Sequence, residues 1–125
     1  MDENEIGSRV LGCALKVHKT LGPGLLESVY EACLARELEN AGLGYERQLA
    51  LPVSYDGLIL DAGFRLDLLV ERRVVVEVKA IEAISKVHRA QLLSYLRLGD
   101  FRLGYLLNFN VSLMKEGIVR IANGL

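Results

Sequence analysis

The sequence has no tryptophan, only two prolines, only two cysteines and no long apolar run. A helix that crosses a bilayer needs about 20 consecutive apolar residues, so we expect no membrane segment. The acidic start, MDENEIGSRV, lacks the apolar stretch of a secretory signal, which favours a cytoplasmic protein. The scarcity of proline argues against a long linker, and a length of 125 residues predicts one domain over residues 1–125.

The cysteines and the charge argue against two further classes of protein. Cys13 and Cys33 have no CxxC partner or neighbouring His/Cys cluster, so we expect small apolar residues in helices and no zinc site. A net charge of −1 argues against a protein that coats nucleic acid without specificity. The basic residues are nevertheless concentrated in residues 65–102, which hold eight Lys or Arg against five Asp or Glu.

Two helices are predicted at the start of the chain. The first apolar residues recur at steps of four and three, as on one face of a helix: Ile6, Val10, Ala14, Val17 and Leu21. Gly22-Pro23-Gly24 then interrupts the helix. A second helix is predicted from about Leu25 to Ala41, before Gly42. So short a connection predicts that the two helices pack as a hairpin.

After Gly44 the pattern predicts strands. Segments rich in Leu, Val and Ile indicate strands at 46–55, 58–70, 74–79 and 103–109, with an edge strand at 118–122. Asp56-Gly57 is a hairpin turn signal. A helix is predicted from about Ile84 to Leu98, which makes residues 74–109 a right-handed parallel crossover. The order predicts an α/β domain, a mixed β-sheet flanked by helices and preceded by an N-terminal helical hairpin.

Two predicted strands carry charges among apolar residues. Alternation puts Arg65 and Asp67 on one face of their strand and four apolar residues on the other: Phe64, Leu66, Leu68 and Val70. In the run VVVEVKA, Glu77 and Lys79 point to the same side, about 7 Å apart. A strand this apolar is expected at the centre of a sheet. A charged side chain there costs free energy unless it is paired or bound to a metal.

The register between these strands decides whether the charges meet. If the turn centres on Arg72, Asp67 lies opposite Glu77 at about 4.5–5.5 Å. Like charges at that distance repel each other and favour a divalent cation between them. Lys79 beside them could hold a phosphate or orient a water molecule. A slip of one residue would instead send Asp67 to the other face.

The predicted helices contribute one acid and one amide to the same region. Glu27 lies on a stripe that otherwise faces the core: Tyr30, Leu34 and Leu38. Gln91 lies among five residues of a second such stripe: Ile84, Val87, His88, Tyr95 and Leu98. Both side chains would then project toward Asp67, Glu77 and Lys79.

Each of these residues has an ordinary structural explanation when it is taken alone. A strand Glu-x-Lys is more often a solvated face or an ion pair, and Asp67 could pair with a neighbouring arginine. Glu27 could interact with the dipole of its helix. Gln91 could bond to the backbone, and His88 could be structural. The functional interpretation therefore depends on five polar residues that occur in one order.

That order resembles the PD-(D/E)xK nuclease superfamily, in which a helical acid precedes an Asp, a Glu-x-Lys and a helical Gln. The matching residues are Glu27, Asp67, Glu77-Val78-Lys79 and Gln91. More narrowly, GLLESVY reads as GxxExxY, and together with VVVEVKA and AQLLSYL it resembles the GxxExxY protein family. The resemblance runs from about Ala14 to the C-terminus and implies a restriction-endonuclease-like core. One departure is Leu66, which stands where the motif has proline.

The resemblance implies roles for individual residues. The implied catalytic residues are Glu27, Asp67, Glu77, Lys79 and Gln91. Mg²⁺ or Mn²⁺ would be held by Asp67, Glu77 and Glu27 with the Val78 carbonyl, a set of hard oxygen ligands that such ions prefer. Lys79 would stabilise the attacking hydroxide or the phosphate charge, and Gln91 would position the lysine or a phosphate. Four more residues are expected to bind the substrate or support the site: Tyr30, Arg65, His88 and Tyr95.

Two functions are compatible with this set. The first is metal-dependent hydrolysis of phosphodiester bonds in DNA or RNA, favoured by the complete Asp, Glu, Lys and Gln set. The second is a catalytically silent nuclease fold that binds nucleic acid or protein, favoured by the small size and the lack of a strongly basic surface. So small a domain would need a dimer or another partner to grip a duplex, and an exposed Leu93, opposite Gln91 on its helix, would suit a homodimer interface. No nucleophile elbow or Cys/His pair supports a serine or thiol hydrolase.

Overall fold

The structure is a computed structural model that describes residues 1–125. Its elements, in chain order, are α1 (Glu3–Leu21), α2 (Glu27–Asn40), β1 (Tyr45–Ala50), β2 (Val53–Tyr55), β3 (Leu58–Leu60), β4 (Arg65–Val70), β5 (Val74–Lys79), α3 (Lys86–Gly99), β6 (Leu103–Asn108), a short 3-10 helix (Met114–Gly117) and β7 (Ile118–Ala122). The predicted α/β class and the N-terminal helical hairpin are confirmed. None of the helices is long and apolar enough to cross a membrane.

The central sheet contains five strands in the order β1-β4-β5-β6-β7. β5 and β6 run parallel and are connected by α3, whereas the other neighbouring pairs are antiparallel. The mixed sheet, the parallel unit and the edge strand β7 are therefore as predicted. β5 lies in the middle, and Val74–Val78 are all buried, as expected for an apolar strand covered on both faces.

Helices cover both faces of the sheet. α1 and α2 pack on one face with Val74, Val76 and Val78, in an apolar cluster that includes Leu34 and Phe109. α3 packs on the other face, where Leu92 and Leu96 contact Val75. Residues from α2 and from α3 thus approach the end of β5 from opposite sides of the sheet.

Two of the predicted strands are each divided in two. The segment 46–55 is interrupted after Ala50, where Pro52 lacks the N–H that a strand ladder requires. The segment 58–70 is interrupted between Leu60 and Arg65, where Gly63 has a φ of 78°. The inner pieces, β2 and β3, form a separate hairpin around the predicted Asp56-Gly57 turn.

Tyr30 fixes the connection between α1 and α2. Its ring stacks on Phe109 with centroids 4.7 Å apart, and its side chain is fully buried. Its hydroxyl donates to the Gly22 carbonyl at 2.6 Å and accepts from the Leu25 N–H at 3.1 Å. Tyr30 is thus unavailable to a substrate, which corrects the predicted binding role, because both ends of the side chain are engaged in the fold.

We expect Tyr30→Phe to lower the free energy of unfolding by about 1–2 kcal/mol, because two backbone groups lose their partner. Phenylalanine keeps the stacking on Phe109, so the effect isolates the hydroxyl. Urea unfolding followed by circular dichroism measures the change. Tyr55→Phe is the matched control, since Tyr55 is 73% exposed. Equal stabilities of the two variants would contradict this role of Tyr30.

Candidate active site

Asp67 and Glu77 lie on adjacent central strands, and the carboxylate of each accepts a hydrogen bond from a backbone N–H of the other strand. The β4–β5 pairs Leu68↔Val76, Leu69↔Val75 and Val70↔Val74 confirm the predicted register, but the ladder ends there. Beyond it, the Asp67 N–H donates to a Glu77 carboxylate oxygen at 2.8 Å, and the Val78 N–H donates to Asp67 Oδ2 at 2.8 Å. Each carboxylate therefore accepts from a backbone N–H where the ladder ends, which holds the two acids side by side.

Burial disfavours the charges on both acids, and a neighbouring negative charge adds to it in each case. The pKa of Glu77 is raised to about 8, mainly by burial and then by the negative charge of Asp67. The pKa of Asp67 is also raised by burial, although its bond from the Val78 N–H acts in the opposite direction. The positive charge of Lys79 lowers both pKa values without reversing either shift. A cation beside the two acids would relieve this unfavourable arrangement.

The strand alternation breaks at Asp67. Leu66 packs with α3 on one face of the sheet, whereas Leu68 packs with α1 and α2 on the other. The prediction that both leucines share a face was therefore wrong. The irregularity coincides with Gln48 on β1, which has a φ of 50° and is not paired with Asp67 in an otherwise continuous β1–β4 ladder. The pairing has the same register on both sides of Gln48, so no residue is inserted and the break is a local distortion rather than a bulge.

Lys79 ends β5 as a half-buried residue. Its ammonium group takes part in none of the protein's ion pairs. None of the surface cavities is lined by Asp67, Glu77 or Lys79. The three residues therefore lie outside these cavities, and no carboxylate pairs with the lysine. Arg65 lies nearby at the start of β4, exposed and also without an ion pair.

Glu27 reaches the same end of β5 from α2. It is the first residue of α2, and its carboxylate accepts from the Ala80 N–H at 3.1 Å. No group of three His, Cys, Asp or Glu side chains is close enough to hold a metal ion. The predicted set of Glu27, Asp67 and Glu77 is therefore not assembled as one cluster, because the Glu27 carboxylate is directed to the backbone after Lys79.

Three residues that were not predicted from the sequence lie beside Asp67. Glu31 on α2 is only 8% exposed, and its carboxylate accepts from the Arg47 guanidinium at 2.9 Å and from the Gln48 amide at 2.7 Å. The same amide donates to Asp67 Oδ1 at 3.3 Å. Glu31 follows Glu27 by four residues, so the helical period places both acids on neighbouring turns of one face. The spacing of four residues from Glu27 could therefore have identified Glu31 as a candidate site residue.

The buried face of α3 differs from the predicted one. Its buried residues are Leu92, Tyr95 and Leu96, whereas Val87 is 74% exposed. Gln91 is exposed, and its side chain makes no hydrogen bond within the protein. Leu93 is half-buried, and a dimer through this residue stays a prediction. The predicted buried face was wrong because Ile84 precedes the helix and Val87 belongs to its solvated first turn.

Tyr95 and His88 have different surroundings. Burial raises the pKa of the Tyr95 hydroxyl, and the negative charges of Glu77 and Asp67 raise it further, so Tyr95 faces the acids from α3. His88 Nδ1 accepts from the Ser85 N–H at 3.0 Å, and Ser85 caps α3 in return. His88 therefore stabilises the helix start, and its contact with a substrate stays a prediction.

A mixed sheet with helices on both faces and an Asp, Glu-x-Lys set on its central strands is a restriction-endonuclease-like fold. The family model of the PD-(D/E)XK nuclease superfamily matches residues 4–121, and the chain belongs to that superfamily. The match does not extend to the GxxExxY family, which stays a prediction. Comparison with curated proteins and with solved structures finds no match.

The pKa of Glu77 predicts a pH-dependent stability of the metal-free protein. Because the folded-state value of about 8 lies above the ordinary 4.5, the contribution of protonated Glu77 is fully present below pH 4.5 and is lost as the pH rises through 8. Glu77→Gln keeps an acceptor for the Asp67 N–H but carries no charge. We expect the variant to be more stable than wild type by about 1–3 kcal/mol at pH 8, and to show no such gain near pH 4.5.

Urea unfolding in chelator at the two pH values measures this difference. Glu116→Gln, which removes an exposed glutamate of the 3-10 helix, is the control and should follow wild type. A Glu77→Gln protein with the stability of wild type at both pH values would show that the Glu77 carboxyl is not held in an unfavourable environment.

Proposed function

We propose that the protein is a Mg²⁺- or Mn²⁺-dependent nuclease that hydrolyses phosphodiester bonds in DNA or RNA at Asp67, Glu77 and Lys79. The observation that carries the proposal is the pair of carboxylates, buried Glu77 and half-buried Asp67, which accept from backbone N–H groups, with an unpaired lysine at the end of the strand that carries Glu77. Membership of the PD-(D/E)XK nuclease superfamily supports it independently.

The chemistry of the donor set fits a small divalent cation. Asp67 and Glu77 offer carboxylate oxygens, the Val78 carbonyl lies between Glu77 and Lys79 in the chain, and no soft ligand is near. The raised pKa values of the two acids are what a cation would reverse. When bound, such an ion lowers the pKa of water and neutralises charge on a phosphate.

The chain's own residues would orient the reacting groups. Asp67 and Glu77 are fixed by backbone bonds, so little rearrangement is needed for them to hold a ligand. Lys79, which no carboxylate engages, would attract a phosphate oxygen or the attacking water. Gln91 and Arg65 are both exposed. They would contact the nucleic-acid strand beyond the scissile phosphate.

A catalytically silent nuclease fold is the second candidate. The observation that favours it is that no three acidic or other metal-ligating side chains converge as one cluster. Such a protein would bind nucleic acid or another protein through the same region without hydrolysis. Retention of the Asp, Glu and Lys set makes this the weaker candidate.

Cleavage assays with single- and double-stranded DNA and RNA in Mg²⁺ or Mn²⁺ test the proposal. Lys79→Ala should reduce cleavage about 100-fold or more, because a positive charge next to the reacting phosphate is lost. Lys115→Ala is the matched control, since Lys115 is exposed on the 3-10 helix. Cleavage by wild type and Lys115→Ala but not by Lys79→Ala supports the nuclease. No cleavage of any substrate by wild type favours the silent fold.

A further inference from the structure

Gln48 occupies an unusual position in β1. Its φ of 50° lies in the left-handed region, a backbone conformation that residues other than glycine, asparagine and aspartate rarely adopt. It also interrupts the pairing of β1 with β4, which otherwise runs from Tyr45↔Val70 to Ala50↔Arg65 and omits Gln48 and Asp67. Backbone strain of this kind persists where surrounding contacts require it and clusters at functional sites.

The side chain of Gln48 bridges two acids. Its amide nitrogen donates to Glu31 Oε1 at 2.7 Å and to Asp67 Oδ1 at 3.3 Å, which uses both of its hydrogens. Glu31 is held in turn by the Arg47 guanidinium, through Nη2 at 2.9 Å and Nε at 3.2 Å. These contacts form a chain from Arg47 through Glu31 and Gln48 to Asp67.

Asp67 is thereby fixed at both of its carboxylate oxygens. Oδ2 accepts from the Val78 N–H at 2.8 Å, and Oδ1 accepts from the Gln48 amide. Gln48 itself is exposed, so no apolar packing depends on its side chain. If this position served only the fold, glycine would be the better residue, because glycine adopts a φ of 50° without strain. What glycine would lack is the amide.

We propose that Gln48 is a positioning residue, whose strained backbone directs its amide to orient the Asp67 carboxylate, with Glu31 and Arg47 holding the amide in place. The inference rests on the proposed nuclease function for its consequence, which is that loss of the amide weakens the binding of the divalent cation. Partners that orient metal ligands change metal affinity by about 10–100-fold when they are removed.

Gln48→Gly tests the proposal, because it removes the amide and relaxes the backbone together. Gln48→Met, which keeps the side-chain length without a donor, is the second variant. Two-dimensional NMR of the metal-free proteins reports on Asp67 through the amide of Val78, which donates to it. Titration with Mg²⁺ then gives the affinity of wild type and of each variant, and thermal unfolding checks the fold.

We expect Gln48→Gly to unfold at or above the temperature of wild type, while its Val78 amide shifts and exchanges with solvent about 10-fold faster. Its affinity for Mg²⁺ should fall about 10–100-fold, and Gln48→Met should show the same loss. Equal Mg²⁺ affinity in wild type and both variants would overturn the inference. A wild-type protein that ignores Mg²⁺, while Val78 still shifts in the variants, would count against the nuclease and still support the orientation of Asp67 by Gln48.

Discussion

The candidate site depends on a change of hydrogen-bond acceptors in the middle of the sheet, where side-chain carboxylates take the place of backbone carbonyls. Where β4 and β5 would continue their ladder, the N–H groups of Asp67 and Val78 donate to side-chain carboxylates. These bonds satisfy two backbone donors and at the same time hold two acids in a region that disfavours their charge. Removing either carboxylate would leave a donor without its partner, at a cost of about 1–3 kcal/mol. The fold and the site are therefore coupled through the same two bonds.

The position of β5 explains why this arrangement forms at the end of that strand. Its valines are buried between helices on both faces, so Glu77 near its end is still buried whereas Lys79 is half-buried. The strand thus runs from the core to an open edge within a few residues. Helix α2 reaches that edge with Glu27 and helix α3 faces it with Tyr95. An acid pair disfavoured by burial and a half-buried lysine are brought together in this way.

The sequence predicted the parts of the fold that follow from periodicity. The helical hairpin, the order of strands and the parallel unit followed from apolar spacing and from glycine and proline. The register of Asp67 and Glu77 followed from a turn centred on Arg72, which has a φ of 57°. Pro52 and Gly63 were present in the sequence, yet the apolar runs around them concealed the separate hairpin of β2 and β3.

The remaining errors have a common physical origin in local backbone geometry. A left-handed glutamine has no signature in composition, so the break at Gln48 and the opposite directions of Leu66 and Leu68 could not be read from alternation. The rotation of α3 depended on where the helix begins, at Lys86 rather than Ile84. Glu31 was overlooked although its spacing from Glu27 was visible.

Crystals soaked in Mn²⁺ would test the central claim most directly, because anomalous scattering locates that ion without any assay of activity. We expect one anomalous peak in direct contact with carboxylate oxygens of both Asp67 and Glu77. The peak should disappear in crystals of an Asp67→Asn variant. No peak at these residues, or a peak held elsewhere on the protein, would contradict the assignment of Asp67 and Glu77 as a metal-binding pair.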